Sequence, residues 1–267
     1  MISLTSHVKR SNSSAFTLME LAVVLVVVAL LAIVVFPAFA TTTERAQRAA
    51  CMNNLRRIAA GVAVYGGNNN GKIFSARNGS VSPPNIYVQI ALNLPDATLA
   101  GTVGLVVGSN SPAWTCPNRP AVPIYEPAYP QWIIGYQYFG GINTWMNSLG
   151  TFTSVPSPTN LATARPYWTL AADVILRDGA ASAWGVWSPG RDSLIYSNVP
   201  PHHAIDSLRP QGGNHAFVDG SVQWIDLEKM YMLHSYSPSS RLFYFYQDSK
   251  DFPASMKPFL STLRPQP

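Results

Sequence analysis

The chain has 267 residues, a formal net charge of +5, 12% charged residues and only two cysteines, enough for one good-sized domain or two small ones. Scarce charge with abundant Tyr, Trp, Pro, Asn, Ser and Thr suits a protein facing the outside of a cell better than a cytosolic enzyme. Apart from Arg45, Arg48, Arg56 and Arg57 the basic residues are scattered, without a basic stripe interleaved with aromatics, so nucleic acid is not an expected partner.

The first predicted element is an apolar run from Phe16 to Phe36 whose only charge is Glu20. The run is long enough to span a bilayer as a helix. Lys9 and Arg10 precede it, which by the positive-inside rule keeps the amino terminus cytoplasmic and sends the rest outward. A carboxylate inside such a run costs on the order of 2.5–3.5 kcal/mol on insertion scales. A secretory signal cut at Ala38 and Ala40 and a plain signal anchor both account for the apolar run, and neither gives Glu20 a reason.

A third reading does. Lys9 and Arg10, a short polar stretch and then Ala15-Phe16-Thr17-Leu18-Met19-Glu20 resemble the class III leader of type IV pilins and type II secretion pseudopilins. The resemblance implies a cut between Ala15 and Phe16 by a prepilin peptidase, which also methylates the new amine. Ala15 stands where glycine is usual in that family and is nearly as small. Phe16, Glu20 and Pro37 then become the subunit-assembly residues, with Glu20 of one chain pairing the amine of Phe16 on a neighbour. A buried charge is tolerated when paired, and removing one partner costs several kcal/mol. A glutamate that snorkels near the interface is the blander alternative.

Helical periodicity continues beyond the apolar run. Cys51, Leu55, Ile58, Val62 and Tyr65 form one apolar stripe at alternating spacings of four and three, opposite Arg45, Arg48 and Arg56. The helix is expected to end at Asn68-Asn69-Asn70-Gly71, and Pro37 to kink or locally melt it. The expected organisation is a leader over 1–15, a transmembrane and assembly half of a long helix over 16–40, an amphipathic half over 41–68, and a head over 69–267. The two cysteines, Cys51 and Cys116, fit a disulfide if the chain is exported, one able to contribute on the order of 4 kcal/mol. They equally fit two small buried hydrophobes.

The head reads as short strands among proline-rich breaks, with candidates at Ile133–Phe139, Trp168–Val174, Ala183–Trp187 and Leu242–Tyr246. The fold class expected is α+β, a long amino-terminal helix packed on an antiparallel β-sheet head, as in pilins. In GGNHAFVDGSVQWIDL, Asp219-Gly220 is a hairpin signal. A two-residue turn there sets Phe217 opposite Val222 and puts Trp224 on the same, core-facing side. This stretch resembles the H-X9-DG segment near the carboxyl end of large pseudopilin-like proteins, with Arg209 standing where the family has histidine. CMNNLRRIAAGVAVYGGNNNGKIF and WTCPN are similar to the same group.

The sequence also bears on metal, catalytic and ligand-binding chemistry. His202, His203, Asp206, His215 and Asp219 lie close in sequence but lack zinc spacing. Structural calcium would draw on carboxylates such as Asp173, Asp178, Asp192 and Asp226, although no EF-hand spacing exists. No cofactor is expected. Neither GxSxG nor a phosphate loop is present, so no enzyme is expected. Tyr125, Tyr129, Trp132, Tyr136, Tyr138, Trp145, Trp184 and Trp187 are numerous enough to offer a carbohydrate-binding face, and more often serve as core. The expected function is a pilin-like (pseudopilin) subunit of an envelope filament, in a type II secretion or type IV pilus-like system. Its partners are prepilin peptidase, other pilin subunits and the bacterial inner membrane, crossed once with the head in the periplasm or an extracellular filament. The alternative is an anchored module that binds glycan or protein and does not polymerise.

Overall fold

The structure is a computed structural model that describes residues 17–79, 86–109, 111–185, 194–196, 199–203 and 207–266, without the side chains of 32–41. The chain divides into two compact units, Met1–Arg45 and Ala46–Pro267.

Helix α1 runs from Leu18 to Asn68. Thr17 begins it with a reciprocal cap. The Glu20 backbone N–H donates to Thr17 Oγ1 at 3.2 Å, and Thr17 N–H donates back to Glu20 Oε2 at 2.9 Å, which satisfies two of the orphan donors of a helix start. The helical backbone continues through Pro37 rather than melting there. At the other end Asn70 and Gly71 take positive φ, and Gly71 N–H closes back on Gly66 C=O at 2.8 Å. That i−5 bond is the signature of a Schellman stop.

In the first unit every described side chain from Leu18 to Leu31 is exposed. No helix of the described residues is long and apolar enough to cross a membrane. This finding corrects the expected transmembrane half and, with it, the single pass through the inner membrane with the head in the periplasm.

In the second unit Cys51, Leu55, Ile58, Ala59 and Val62 are buried in the main core, with Tyr65 packed at its edge. The head begins with β1 (Arg77–Gly79), β2 (Ile86–Val88), β3 (Ala91–Asn93) and the short helix α2 (Leu94–Gly101). Next come β4 (Ile124–Glu126), β5 (Gln131–Ile133), β6 (Tyr136–Tyr138), β7 (Thr144–Asn147) and β8 (Gly150–Thr153). The last strands are β9 (Thr169–Asp173), β10 (Ile175–Asp178), β11 (Ala183–Trp184), β12 (Gly212–Phe217), β13 (Val222–Asp226) and β14 (Arg241–Tyr244).

These strands do not make the one sheet expected for the head, and the expected pilin-like helix-on-sheet class is corrected accordingly. They form separate small antiparallel sheets, in the orders β1-β2, β3-β5-β4, β7-β8, β11-β10-β14 and β13-β12-β9-β6. The expected strand at Ile133–Phe139 shows why. Ile134 N–H leaves to bond Ile90 C=O and Gly135 N–H bonds Trp114 C=O, both at 2.8 Å. The run therefore splits between two sheets. A Cβ at Gly135 would lie 2.5 Å from Trp114 O and 2.6 Å from Cys116 N, so only glycine fits at the break. A second apolar cluster gathers residues of β2, β3, β5, β10 and β14, among them Val88, Ala91, Ile133, Leu176 and Phe243.

Candidate functional site

Two places concentrate chemistry: the first turn of α1 and a buried cluster where α1 meets the head.

At the first turn, Glu20 Oε2 accepts from both the backbone N–H and the hydroxyl of Thr17, each at 2.9 Å. These bonds, the backbone one first, hold the Glu20 carboxyl below its usual pKa. The group is therefore ionised and solvent-facing on an otherwise apolar surface. Ala15 and Phe16 lie outside the described residues, as does the side chain of Pro37. The sequence reading found Glu20 but not its local partner, although Thr17-x-x-Glu20 is a capping-box spacing.

The buried cluster begins with the two cysteines. Cys51 on α1 and Cys116 in WTCPN, 65 residues apart in sequence, face each other as free thiols with their sulfurs 3.2 Å apart. Both are fully buried. The hydrogen bond to Cys116, reinforced by burial, pushes the Cys51 thiol pKa up. An Asp173 carboxylate oxygen and the two sulfurs all lie within 4.8 Å of one another.

Asp173, at the end of β9, is itself fully buried. Its Oδ2 accepts from Asn214 N–H at 2.7 Å and from Asn214 Nδ2 at 2.9 Å, and lies 3.3 Å from His202 Nε2. Its Oδ1 has no hydrogen-bond partner among the described residues. Gly213 keeps this approach open, because a Cβ there would meet Asp173 Cβ at 3.2 Å. Asn214 Nδ2 also reaches Arg48 C=O on α1 at 3.3 Å. The Gly-Gly-Asn run thus ties β12 to both β9 and the helix. Arg119, also fully buried, donates to Gly135 C=O at 3.1 Å and Ile195 C=O at 2.7 Å. Burial lowers its pKa, and the neighbouring Cys116 and Asp173 oppose that shift.

The remaining expectations scatter. The hairpin is real, but its register is one residue off: Ala216 faces Val222 and Asn214 faces Trp224. Its loop is Val218-Asp219-Gly220, with Gly220 at φ +83° and Asp219 Oδ1 accepting from Ser221 N–H at 2.9 Å. Phe217 and Trp224 therefore lie on opposite faces. Trp224 receives the Arg48 guanidinium at 3.9 Å from its ring centre. Arg209, at the family's histidine position, donates to Gln266 C=O at 3.1 Å and lies 3.4 Å from Glu228, close to the carboxyl end.

The histidines do not gather either. His202 is buried against Asp173, His203 bridges to Pro210, and both His215 ring nitrogens are engaged by the backbone. Asp206 lies outside the described residues. The candidate calcium carboxylates disperse: Asp178 caps Ala180 and Ala181, and Asp226 pairs with Lys229, while Asp192 lies outside the described residues. Of the aromatics, Tyr136, Tyr138 and Trp145 are core, whereas Tyr125 and Tyr129 are exposed.

No family model, no curated protein and no solved structure matches the chain. The pseudopilin and type II secretion designations expected from the sequence therefore gain no support from known proteins.

Proposed function

We propose that the chain is a pilin-like structural subunit, cut before Phe16, N-methylated there by a prepilin peptidase, and assembled into a filament through its amino-terminal helix. One observation carries this reading. The helix from Leu18 to Leu31 exposes an unbroken apolar surface, with Leu18 at 87%, Leu25 at 61% and Leu31 at 60% exposure, around one ionised carboxylate. Contiguous apolar surface of that kind marks an interaction site, and equivalent helices of neighbouring subunits would cover it. A carboxylate has about four lone-pair sites, and Thr17 supplies two donors. Room remains for a neighbour's amine at Phe16.

Mass spectrometry of the mature amino terminus tests the processing step. A methylated chain starting at Phe16 is expected; an intact Met1, or a start after Ala40, would sink the reading. Glu20 then separates cap from partner. Glu20→Gln keeps a capping-box acceptor and loses only the charge, whereas Glu20→Ala loses both. If Glu20 pairs with an amine, both variants fail to polymerise while remaining folded. Normal filaments from Glu20→Gln would show that the residue serves only as a cap.

A second reading, a head that binds an external ligand, is favoured by one cleft of about 320 Å³. Arg77, Glu126, Tyr129, Gln131, Tyr236 and Arg241 are among its lining residues. Guanidinium and phenol groups on an apolar floor suit a carboxylated saccharide. Binding that survives Glu20→Gln and is lost in Arg241→Ala would favour it.

A further inference from the structure

We propose that Cys51 and Cys116 are a cross-linking site: they form an intramolecular disulfide that clasps α1 to the WTCPN loop. The inference stands whether or not the chain polymerises.

Four observations carry it. The sulfurs are 3.2 Å apart in a fully buried site, so bonding requires them to close by about 1.2 Å. The backbone on both sides is already fixed: Cys51 sits mid-helix, and Gly135 packs against the backbone of Cys116 with no room for a side chain. The polar groups around Cys51 also tie the two segments together. Asn54, one turn along α1, donates to Thr115 C=O at 2.9 Å and to the Tyr136 hydroxyl at 3.1 Å. Finally, Cys116 is held in the turn that Arg119 closes, Arg119 N–H donating to Cys116 C=O at 2.8 Å.

The step balances with a low-molecular-weight disulfide such as oxidised glutathione as oxidant. One of the two cysteines, as its thiolate, attacks one sulfur of that disulfide and releases one thiol, leaving a mixed disulfide on that cysteine. The other cysteine then loses its proton, attacks the Sγ of the first and releases the second thiol. Two electrons and two protons leave the pair, and the oxidant carries them away as two thiols. Because neither sulfur is exposed in the folded chain, exchange belongs to folding, before α1 is sealed against the loop.

A metal is the competing use of the same atoms, and the geometry disfavours it. Thiolates sharing a tetrahedral zinc stand about 3.7 Å apart, wider than these sulfurs. The third donor, Asp173, spends Oδ2 on Asn214 and has only Oδ1 left, and a buried guanidinium adjoins the site.

The test uses the full chain, unfolded and refolded in a buffer of reduced and oxidised glutathione. The sample is quenched in acid, alkylated under denaturing conditions and weighed intact. A chain lighter by two hydrogens and carrying no alkyl group is expected, and dithiothreitol should reduce it only after urea unfolding. Cys51→Ser, which removes one thiol of the pair, should trap glutathione on Cys116, and Cys116→Ser should trap it on Cys51. Two alkylated thiols in the wild-type chain would overturn the proposal. So would a persistent glutathione adduct on the wild-type chain, or stoichiometric zinc with both thiols free by elemental analysis.

Discussion

His215 and His234 are both buried and both locked as neutral rings. His215 Nδ1 donates to Gly213 C=O at 3.0 Å while Nε2 accepts from Tyr246 N–H at 3.0 Å; in His234 the roles are reversed, Nδ1 accepting from Met146 N–H and Nε2 donating to Tyr87 C=O. A proton on either ring has no acceptor to meet, and burial lowers both pKa values from 6.5 to about 4. Between those values the unfolded chain binds protons that the folded chain refuses. Stability is therefore full above pH 6.5 and falls as pH drops towards 4, by up to roughly 3 kcal/mol per histidine. Urea midpoints measured from pH 7.5 to 4.5 should decline, and His234→Gln should flatten that decline while lowering stability at pH 7.5. An unchanged slope in His234→Gln would show that other groups carry the acid sensitivity. Little of this was legible in the sequence. A lone histidine gives no sign of its partners, and His234 meets Tyr87 across 147 residues. Asp173 was similarly opaque, because its partner Asn214 arrives only through the β9–β12 pairing. Glu20 was legible as an anomaly, and its spacing to Thr17 as a cap was there to be read.

Elements were more legible than their pairing. The helix stop at Asn68, the apolar stripe and the Asp219-Gly220 hairpin all follow from local chemistry that sequence carries directly. The assignment of strands to sheets depends instead on where single residues turn away, as Ile134 and Gly135 do. Two glycines separate the physical reasons. Gly220 has φ +83° with nothing within 4 Å of a built Cβ, so Gly220→Ala meets only backbone strain, about 1 kcal/mol. Gly135 has backbone atoms of Trp114 and Cys116 inside contact distance. Gly135→Ala must therefore move the loop that carries Cys116, and overpacking of this kind costs about 1–3 kcal/mol or more. Denaturant unfolding should rank Gly135→Ala as the more damaging variant, with Gly220→Ala close to wild type. The reverse order would mean that the WTCPN loop yields easily and that Gly220 does more than close a turn.

At the scale of the whole molecule, the division at Arg45 and Ala46 separates two physical demands on one helix. The residues from Leu18 to Leu31 are exposed, whereas Cys51, Leu55, Ile58 and Val62 are fully buried and belong to the main core of the second unit. Folding of the head should then be indifferent to the first segment and strongly dependent on the second. Leu55→Ala removes a fully buried side chain and should cost about 2–5 kcal/mol, the range for such cavities. Deletion of residues 1–45 leaves Ala46–Asn68 in place and should leave the thermal midpoint of the head within a few degrees of the full chain. The same deletion removes Glu20, Phe16 and the exposed apolar surface, so it should abolish polymer formation entirely. Calorimetry and sedimentation of the three proteins side by side check both halves. If the deletion unfolds the head, the two units are not independent and the apolar segment has a structural role in the single chain. If it leaves both folding and polymerisation intact, the amino-terminal helix is not the assembly surface, and attention passes to the cleft of Arg77 and Arg241.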